Sequence, residues 1–384
     1  MTNYGILDHE TLITDRVRID AYAQALRERV KPGAVVLDIG SGTGIMALLA
    51  CKFGARKVYA IEPNVIIHLA RKIADDNGCA DRIEFIQNMS TKITLPERAD
   101  VIVSDLRGVL PWFELHIPSI TDARKRFLST GGTLIPLRDL VWAAVVEAPE
   151  LSNVYKLPDG LKMGAFQWIA NNVWRKVRVT PQQLLTEPLC WATIDYSTIM
   201  NPDICAELSW TTEREGTGNG FVVWFDAVLT EGTGFSNTPG APELFYAHAF
   251  FPWPKPVALT AGDSVLIELN ANLIGDEYIW RWNTNVLNQS RHERIIASFK
   301  QSNFQQFPFT EGFSSPERWH KRNYSHMPAL NEDGRIDRFI LTLMDGQISL
   351  RDIADRVLAR FPICFASWEE ALAYVGNLSA KYSE

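Results

Sequence analysis

The sequence contains no apolar run long enough to cross a membrane as a helix. The opening Met1-Thr2-Asn3-Tyr4-Gly5 lacks the basic-then-apolar pattern of a secretory leader. Together these absences predict a soluble, cytoplasmic protein without a membrane partner. Cysteine is scarce. The five present (Cys51, Cys79, Cys190, Cys205 and Cys364) are scattered and odd in number. None is paired at metal-ligand spacing, so they read as reduced thiols and no metal site is expected. Positive charge is in short supply too: 38 Lys and Arg stand against 45 Asp and Glu, for a net charge of −7. A dedicated nucleic-acid binder carries a basic stripe, so no nucleic-acid partner is expected. The acidic balance suits a cationic substrate instead. Internal repeats and low-complexity segments are also missing.

What is present is an ordinary globular balance, 46% hydrophobic and 22% charged over 384 residues, enough for two or three domains. The strongest local feature is Val35-Val36-Leu37-Asp38-Ile39-Gly40-Ser41-Gly42-Thr43-Gly44. An apolar strand turns through glycines into a helical stretch from Ile45 to Phe53. Such a turn leaves backbone N–H groups free at the helix start and lets a ligand approach closely. The next apolar run, Lys57 to Ile61, ends in Glu62. An acid there suits a ribose with two free hydroxyls. The arrangement is similar to the cofactor site of S-adenosylmethionine methyltransferases, and the dinucleotide-binding glycine turn is a related alternative.

Leu12, Ile13, Val17, Ala21 and Leu26 recur at helical spacing, and Lys31-Pro32-Gly33 stops that helix. Ile83–Ile86 and Asp100–Ser104 read as short strands. Alternating strands and helices predict an α/β, Rossmann-like doubly wound sheet over residues 1–137. Asp38, Glu62 and Ser104 fall at strand carboxyl ends, where such sheets bind ligands. Beyond Pro136, strand-like stretches begin at Val141, Leu189, Phe221, Tyr246, Ser264 and Tyr278, separated by Gly, Pro and Asn clusters. They predict a β-barrel domain over residues 138–295. Residues 296–327 read as a polar, aromatic linker and 328–384 as a small helical module. In that module Ile336, Phe339, Ile340 and Leu343 share one face, and Ser349-Leu350-Arg351-Asp352 forms a capping box.

Ser104-Asp105-Leu106-Arg107-Gly108-Val109-Leu110-Pro111-Trp112-Phe113-Glu114 follows a strand at the ligand-binding edge. Two carboxylates bracketing a loop match the donor fork of a guanidinium. Here the chain resembles the protein arginine methyltransferases, from about Tyr4 to Thr284. That family's Ser-Glu-x-x-Gly-x-x-x-x-x-Glu loop holds the substrate guanidinium. By the match, Asp105 and Glu114 are the two catalytic acids. His9-Glu10-x-Leu12-x-x-Asp15-x-x-Arg18 resembles the family's N-terminal helix, which implies that Arg18 holds the methionine carboxylate of S-adenosyl-L-methionine. Asp38, Gly40, Gly42, Gly44 and Glu62 would hold the rest of the cofactor, with Ser90 and Thr91 near the adenine by family position. The resemblance also implies a homodimer built by an arm, with residues 160–172 as the candidate. The implied acceptor is arginine, free or within a peptide.

Three departures stand out. The family's Thr-His-Trp loop falls on Leu244-Phe245-Tyr246, so its histidine is missing and Asp15 lacks that partner. Phe245 and Tyr246 become substrate-side candidates. His248 is either a substitute for the missing histidine or a strand histidine with partners of its own. Arg107 stands where the family has an apolar residue. It neutralises an acid, binds a substrate carboxylate, or is a solvated loop arginine. Asp105 in place of Glu is one bond shorter, and a misplacement near 1 Å costs on the order of 10²-fold in rate. A non-guanidino acceptor, small molecule or peptide, and a non-catalytic peptide-binding role are therefore alternative readings. The C-terminal module resembles PqqD-type domains, which implies a leader peptide as a possible partner. A plain helical cap is the competing reading.

Overall fold

In the computed structural model, residues 5–152, 161–288, 294–303 and 327–383 are described. The chain divides into two compact units, Met1–Phe309 and Thr310–Glu384. The first unit holds both larger expected domains.

Its N-terminal part starts with α1 (Ile6–Thr14) and α2 (Arg16–Arg29). The single helix expected there is broken at Asp15. The Asp15 carboxylate accepts from the Arg18 backbone N–H, so it caps α2 and leaves the helical path itself. Five parallel strands follow: β1 (Val35–Ile39), β2 (Lys57–Ile61), β3 (Ile83–Ile86), β4 (Ala99–Ser104) and β5 (Leu128–Ile135). Between them run α3 (Ile45–Lys52), α4 (Ile67–Asp76) and α5 (His116–Arg126). The order β3-β2-β1-β4-β5 reverses direction at β1 and β4, so a crevice opens beyond their carboxyl ends. Every residue of β1 is buried, as a central parallel strand covered on both faces must be.

The chain continues into β6 (Arg138–Val146), α6 (Gly164–Asn171), β7 (Arg175–Val177), β8 (Leu189–Asp195), β9 (Ile204–Thr211), β10 (Gly216–Thr230) and β11 (Thr233–Ser236). It ends in β12 (His248–Leu259), β13 (Ser264–Ile274), β14 (Glu277–Asn288) and β15 (Arg294–Ser302). These strands form two antiparallel sheets, β7-β12-β10-β6-β8 with β11 on β10, and β15-β14-β13-β9. The barrel-like domain is as expected, but β7, β9, β11 and β15 extend the strand set read from sequence. β15 also overruns the expected start of the linker. Ala297, Phe299 and Gln301 point inward while Ser298 and Lys300 face out, so half of its residues look polar in sequence. The remainder of the expected linker, 304–326, lies outside the described residues.

One hydrophobic core runs from Leu37 and Val103 of the parallel sheet to Trp210, Trp280 and Trp282 of the barrel. α2 is the bridge: Tyr22 packs 6.1 Å from Phe235 between ring centroids, and Glu28 accepts from Thr230 and Thr233. The cleft between sheet and barrel therefore has fixed walls.

The second unit contains α7 (Glu332–Leu343), α8 (Leu350–Arg360) and α9 (Trp368–Tyr382) around Ile336, Ile340, Ile353, Val357 and Val375. The Ser349–Asp352 capping box forms, and Ser367 caps α9 through the Glu370 N–H at 3.2 Å. No helix among the described residues is long and apolar enough to cross a membrane.

Candidate active site

The crevice above β1 and β4 is a cleft whose wall includes Gly40, Gly42, Glu62, Ser90, Arg18 and Glu114. The turn after β1 places Gly40, Gly42 and Gly44 at φ 72°, 53° and 81°. At Gly44, which caps α3, a Cβ would also come within 3.3 Å of the Ala70 Cβ, so the turn requires glycine for both conformation and space. Glu62 braces this turn. One carboxylate oxygen accepts from Gly42 N–H at 3.0 Å and the other from Asn64 N–H at 2.9 Å.

Asp38 does not line the cleft. It is buried behind the turn, where it accepts from the Ala47 N–H at 3.1 Å and so fixes the start of α3. Burial pushes its carboxyl up to about 7, against the pull of the Ala47 N–H. Gly44 is likewise behind the lining, and Thr91 is exposed outside it; Met89 and Ser90 are the residues of that turn that reach the cleft.

The two expected acids both line the cleft but differ in their contacts. Glu114 lines the cleft at φ 41°, in the left-handed region that side-chain-bearing residues rarely adopt. Asp105 is locked. Its Oδ2 accepts from Arg18 Nε at 2.5 Å and from the Tyr246 hydroxyl. Its Oδ1 accepts from Arg107 Nε at 3.2 Å. Burial raises its pKa, but the Arg18 and Arg107 cations outweigh that and hold the carboxyl at about 2. Asp105 is a carboxylate at any ordinary pH, and both its oxygens are committed.

Arg107 lines the cleft and is not a solvated loop residue. Only 3% exposed, it donates Nη1 to Asp139 at 2.8 Å and Nη2 to the Tyr22 hydroxyl at 2.5 Å. Tyr196 completes the network by donating to the second Asp139 oxygen at 2.6 Å. Of the three roles open to Arg107, its ion pairs favour neutralisation of Asp105 and Asp139. The loop reaches this position through Gly108, where any Cβ would meet the Phe113 ring at 2.5 Å.

Arg18 is also partly committed. Nε serves Asp105 and Tyr246, and Nη1 donates to the Leu12 carbonyl at 3.0 Å. Nη2 has no hydrogen bond among the described residues and remains for a ligand. Phe245 and Tyr246 line the cleft. Asp15 has a partner after all: its Oδ2 accepts from the Phe245 backbone N–H at 2.9 Å. A main-chain donor replaces the missing histidine.

His248 is corrected. It lies outside the cleft, with Nδ1 accepting from Val179 N–H at 3.1 Å, so Nε2 donates to the Asn237 carbonyl at 2.8 Å. Burial lowers its pKa to about 4 and keeps it neutral. It is a satisfied strand histidine.

The model for Ribosomal protein L11 methyltransferase (PrmA) matches residues 20–135, the parallel-sheet part. Protein arginine N-methyltransferase 6 of Danio rerio is 33% identical over 233 residues, covering 56% of this chain and 67% of that one. The chain belongs to the protein arginine N-methyltransferase family. Ribosomal protein arginine N-methyltransferase rmt3 of Schizosaccharomyces pombe is 31% identical, with 58% of this chain matched to 42% of that one. This chain thus spans less than half the length of that relative. Among solved structures, the Trypanosoma brucei PRMT1 enzyme-prozyme heterotetrameric complex with AdoHcy superposes at a TM-score of 0.70 and 22% identity. That match covers 78% of this chain and 98% of the other, and it shows the shared fold.

For an arginine methyltransferase fold, the site has members that sequence motifs did not supply. Asp139, Tyr22 and Tyr196 lie buried behind the cleft and hold Arg107 through contacts distant in the chain. His116 and Ser41 line the cleft with buried polar atoms that have no partner among the described residues. Ser41 lies inside the glycine turn and His116 two residues after Glu114, so both stood in or beside recognised motifs.

Proposed function

We propose that this chain transfers a methyl group from S-adenosyl-L-methionine to a guanidino nitrogen, of free arginine or of an arginine-containing peptide. The observation that carries this is one cleft joining the glycine turn, Glu62 and Arg18 to Glu114. The donor set fits the cofactor. Glu62 would take the ribose hydroxyls, the Gly40–Gly42 backbone would face the donor, and Ser90 would serve the adenine. Ser41 Oγ, buried and without a partner among the described residues, is an additional polar contact. Arg18 Nη2 takes the carboxylate. When bound, this group supplies an electrophilic methyl on sulfur.

The remaining chemistry belongs to the chain. A guanidinium, basic far above neutral pH, costs about 8 kcal/mol to deprotonate at pH 7, so the proton leaves as the methyl arrives. Glu114 orients the guanidinium and receives that proton on its carboxylate. Asp105 acts through Arg18, as a positioning residue.

Methyl-labelled cofactor tested against free arginine, arginine peptides and non-guanidino acceptors decides the class. Label on a guanidino nitrogen is the expected result. The Asp105–Arg107 pairing favours a second reading, because a neutralised acid attracts a cation less; label on a non-guanidino acceptor would select it. Cofactor binding without transfer to any acceptor would leave a peptide-binding role.

We further propose a homodimer. α6 leaves Phe166 and Trp168 52% and 53% exposed, and α4 leaves Leu69 exposed with Val65 just before it, which supports an apolar arm docking on a second copy. Residue 160 of the candidate arm lies outside the described residues. The five cysteines, all free, support a reducing, cytoplasmic setting. The leader-peptide role of the C-terminal module rests on exposed Leu341, Leu350 and Ile363, and binding of the module to peptides with apolar anchors would test it.

A further inference from the structure

His116 opens α5 and is 1% exposed, yet it lines the cleft beside Glu114. Its ring faces Tyr196 at 5.3 Å between centroids. Nδ1 lies 2.9 Å from the Pro111 carbonyl oxygen. A carbonyl only accepts, so Nδ1 carries the proton and the neutral ring presents Nε2 as a bare acceptor. Nε2 is buried and has no partner among the described residues. A buried acceptor left open costs stability, and native proteins retain few of them.

The reacting group proposed for this cleft is made of N–H donors. The family-type first acid, Asp105, has both oxygens occupied by Arg18, Arg107 and Tyr246. The guanidinium would therefore meet Glu114 on one side and lack its second acceptor. We infer that His116 Nε2 is that second acceptor: it takes a hydrogen bond from a guanidino N–H of the substrate and sets the plane of the group against Glu114.

The ring stays neutral in this role. Burial and the nearby Arg107 cation push its pKa down to about 4, so it serves as a hydrogen-bond acceptor and the proton released on transfer goes to Glu114. The inference rests on the guanidino reading above and deepens it.

Two isosteric half-replacements of the full chain test it. In His116→Asn the side-chain amide can still donate to the Pro111 carbonyl, but the distal acceptor is gone. In His116→Gln the amide oxygen reaches toward the position of Nε2, while the bond to Pro111 is lost. With arginine peptide as acceptor, Asn should raise KM about ten- to hundred-fold, the scale of a lost hydrogen bond to a charged group. Affinity for S-adenosylhomocysteine should not change, and Gln should stay within about three-fold of wild type. In wild type, imidazole ¹⁵N resonances should show Nε2 shifting when L-arginine is added to the S-adenosylhomocysteine complex. The opposite order, Asn harmless and Gln impaired, would make His116 a structural bond to Pro111 and overturn the inference. Unchanged KM in both variants, or an unmoved Nε2 resonance, would overturn it too. Wild-type transfer to arginine is scored in the same assay. Failure of the guanidino reading shows in the wild type, and failure of this inference shows only in the variants.

Discussion

Asp105→Asn separates a structural acid from a reacting one. The substitution keeps the size and one acceptor oxygen but removes the charge that faces Arg18 and Arg107. The held pKa of about 2, against an ordinary 3.8, makes the ionised form worth about 2.4 kcal/mol to the folded state. Breaking a buried pair by removing one partner typically costs about 3–5 kcal/mol. Arg107 retains Asp139, so the lower figure is expected here, with a fall of several degrees in Tm. Arg18 would lose the bond that orients it, and affinity for S-adenosylhomocysteine should drop about ten-fold. Thermal unfolding followed by circular dichroism and calorimetric titration measure both quantities. The sign with pH follows from the depressed pKa: the Asp105 contribution is present above about pH 4 and is lost as the pH falls toward 2. An Asp105→Asn protein with wild-type Tm and cofactor affinity but no turnover would refute the reasoning, because Asp105 would then face the substrate.

Gly108→Ala should destabilise the loop by about 1–3 kcal/mol, since its Cβ would enter the Phe113 ring; denaturant midpoints would show this. His248→Gln should leave transfer intact. His248, held neutral with a pKa of about 4 against 6.5, contributes stability that is full above pH 6.5 and lost as the pH falls toward 4, by about 3 kcal/mol. The wild-type advantage over His248→Gln in chemical denaturation should therefore shrink across that window. Phe166→Ser with Trp168→Ser should convert the proposed dimer to a monomer in sedimentation without unfolding the chain, since both side chains are half exposed.

The parts of the site that sequence revealed are those built from neighbours in the chain. The glycine turn, Glu62 and the Asp105–Glu114 loop each carry their chemistry within about a dozen residues of a strand end, where the fold puts ligands. The electrostatics behind the cleft were not legible. Arg107 is 32 residues from Asp139, and Asp105 is 141 from Tyr246, so no local pattern encodes those contacts. Hence a single cation could be read as neutralising, substrate-binding or solvated. Asp15 shows the same limit in reverse: its lost histidine was visible, whereas the Phe245 N–H that replaces it belongs to the backbone and leaves no trace in residue identity. Most of β15 reads as linker because an edge strand with one polar face resembles a loop when only composition is read.

The central claim is that Glu114 is the reacting carboxylate, while Asp105 is bound up in the protein's own arginines. Single-turnover methyl transfer to arginine peptide by Glu114→Gln, with cofactor and acceptor saturating, tests it most directly. The account predicts a rate at least about 10²-fold below wild type, with S-adenosylhomocysteine affinity and Tm unchanged. A Glu114→Gln enzyme that transfers methyl groups at the wild-type rate would contradict it.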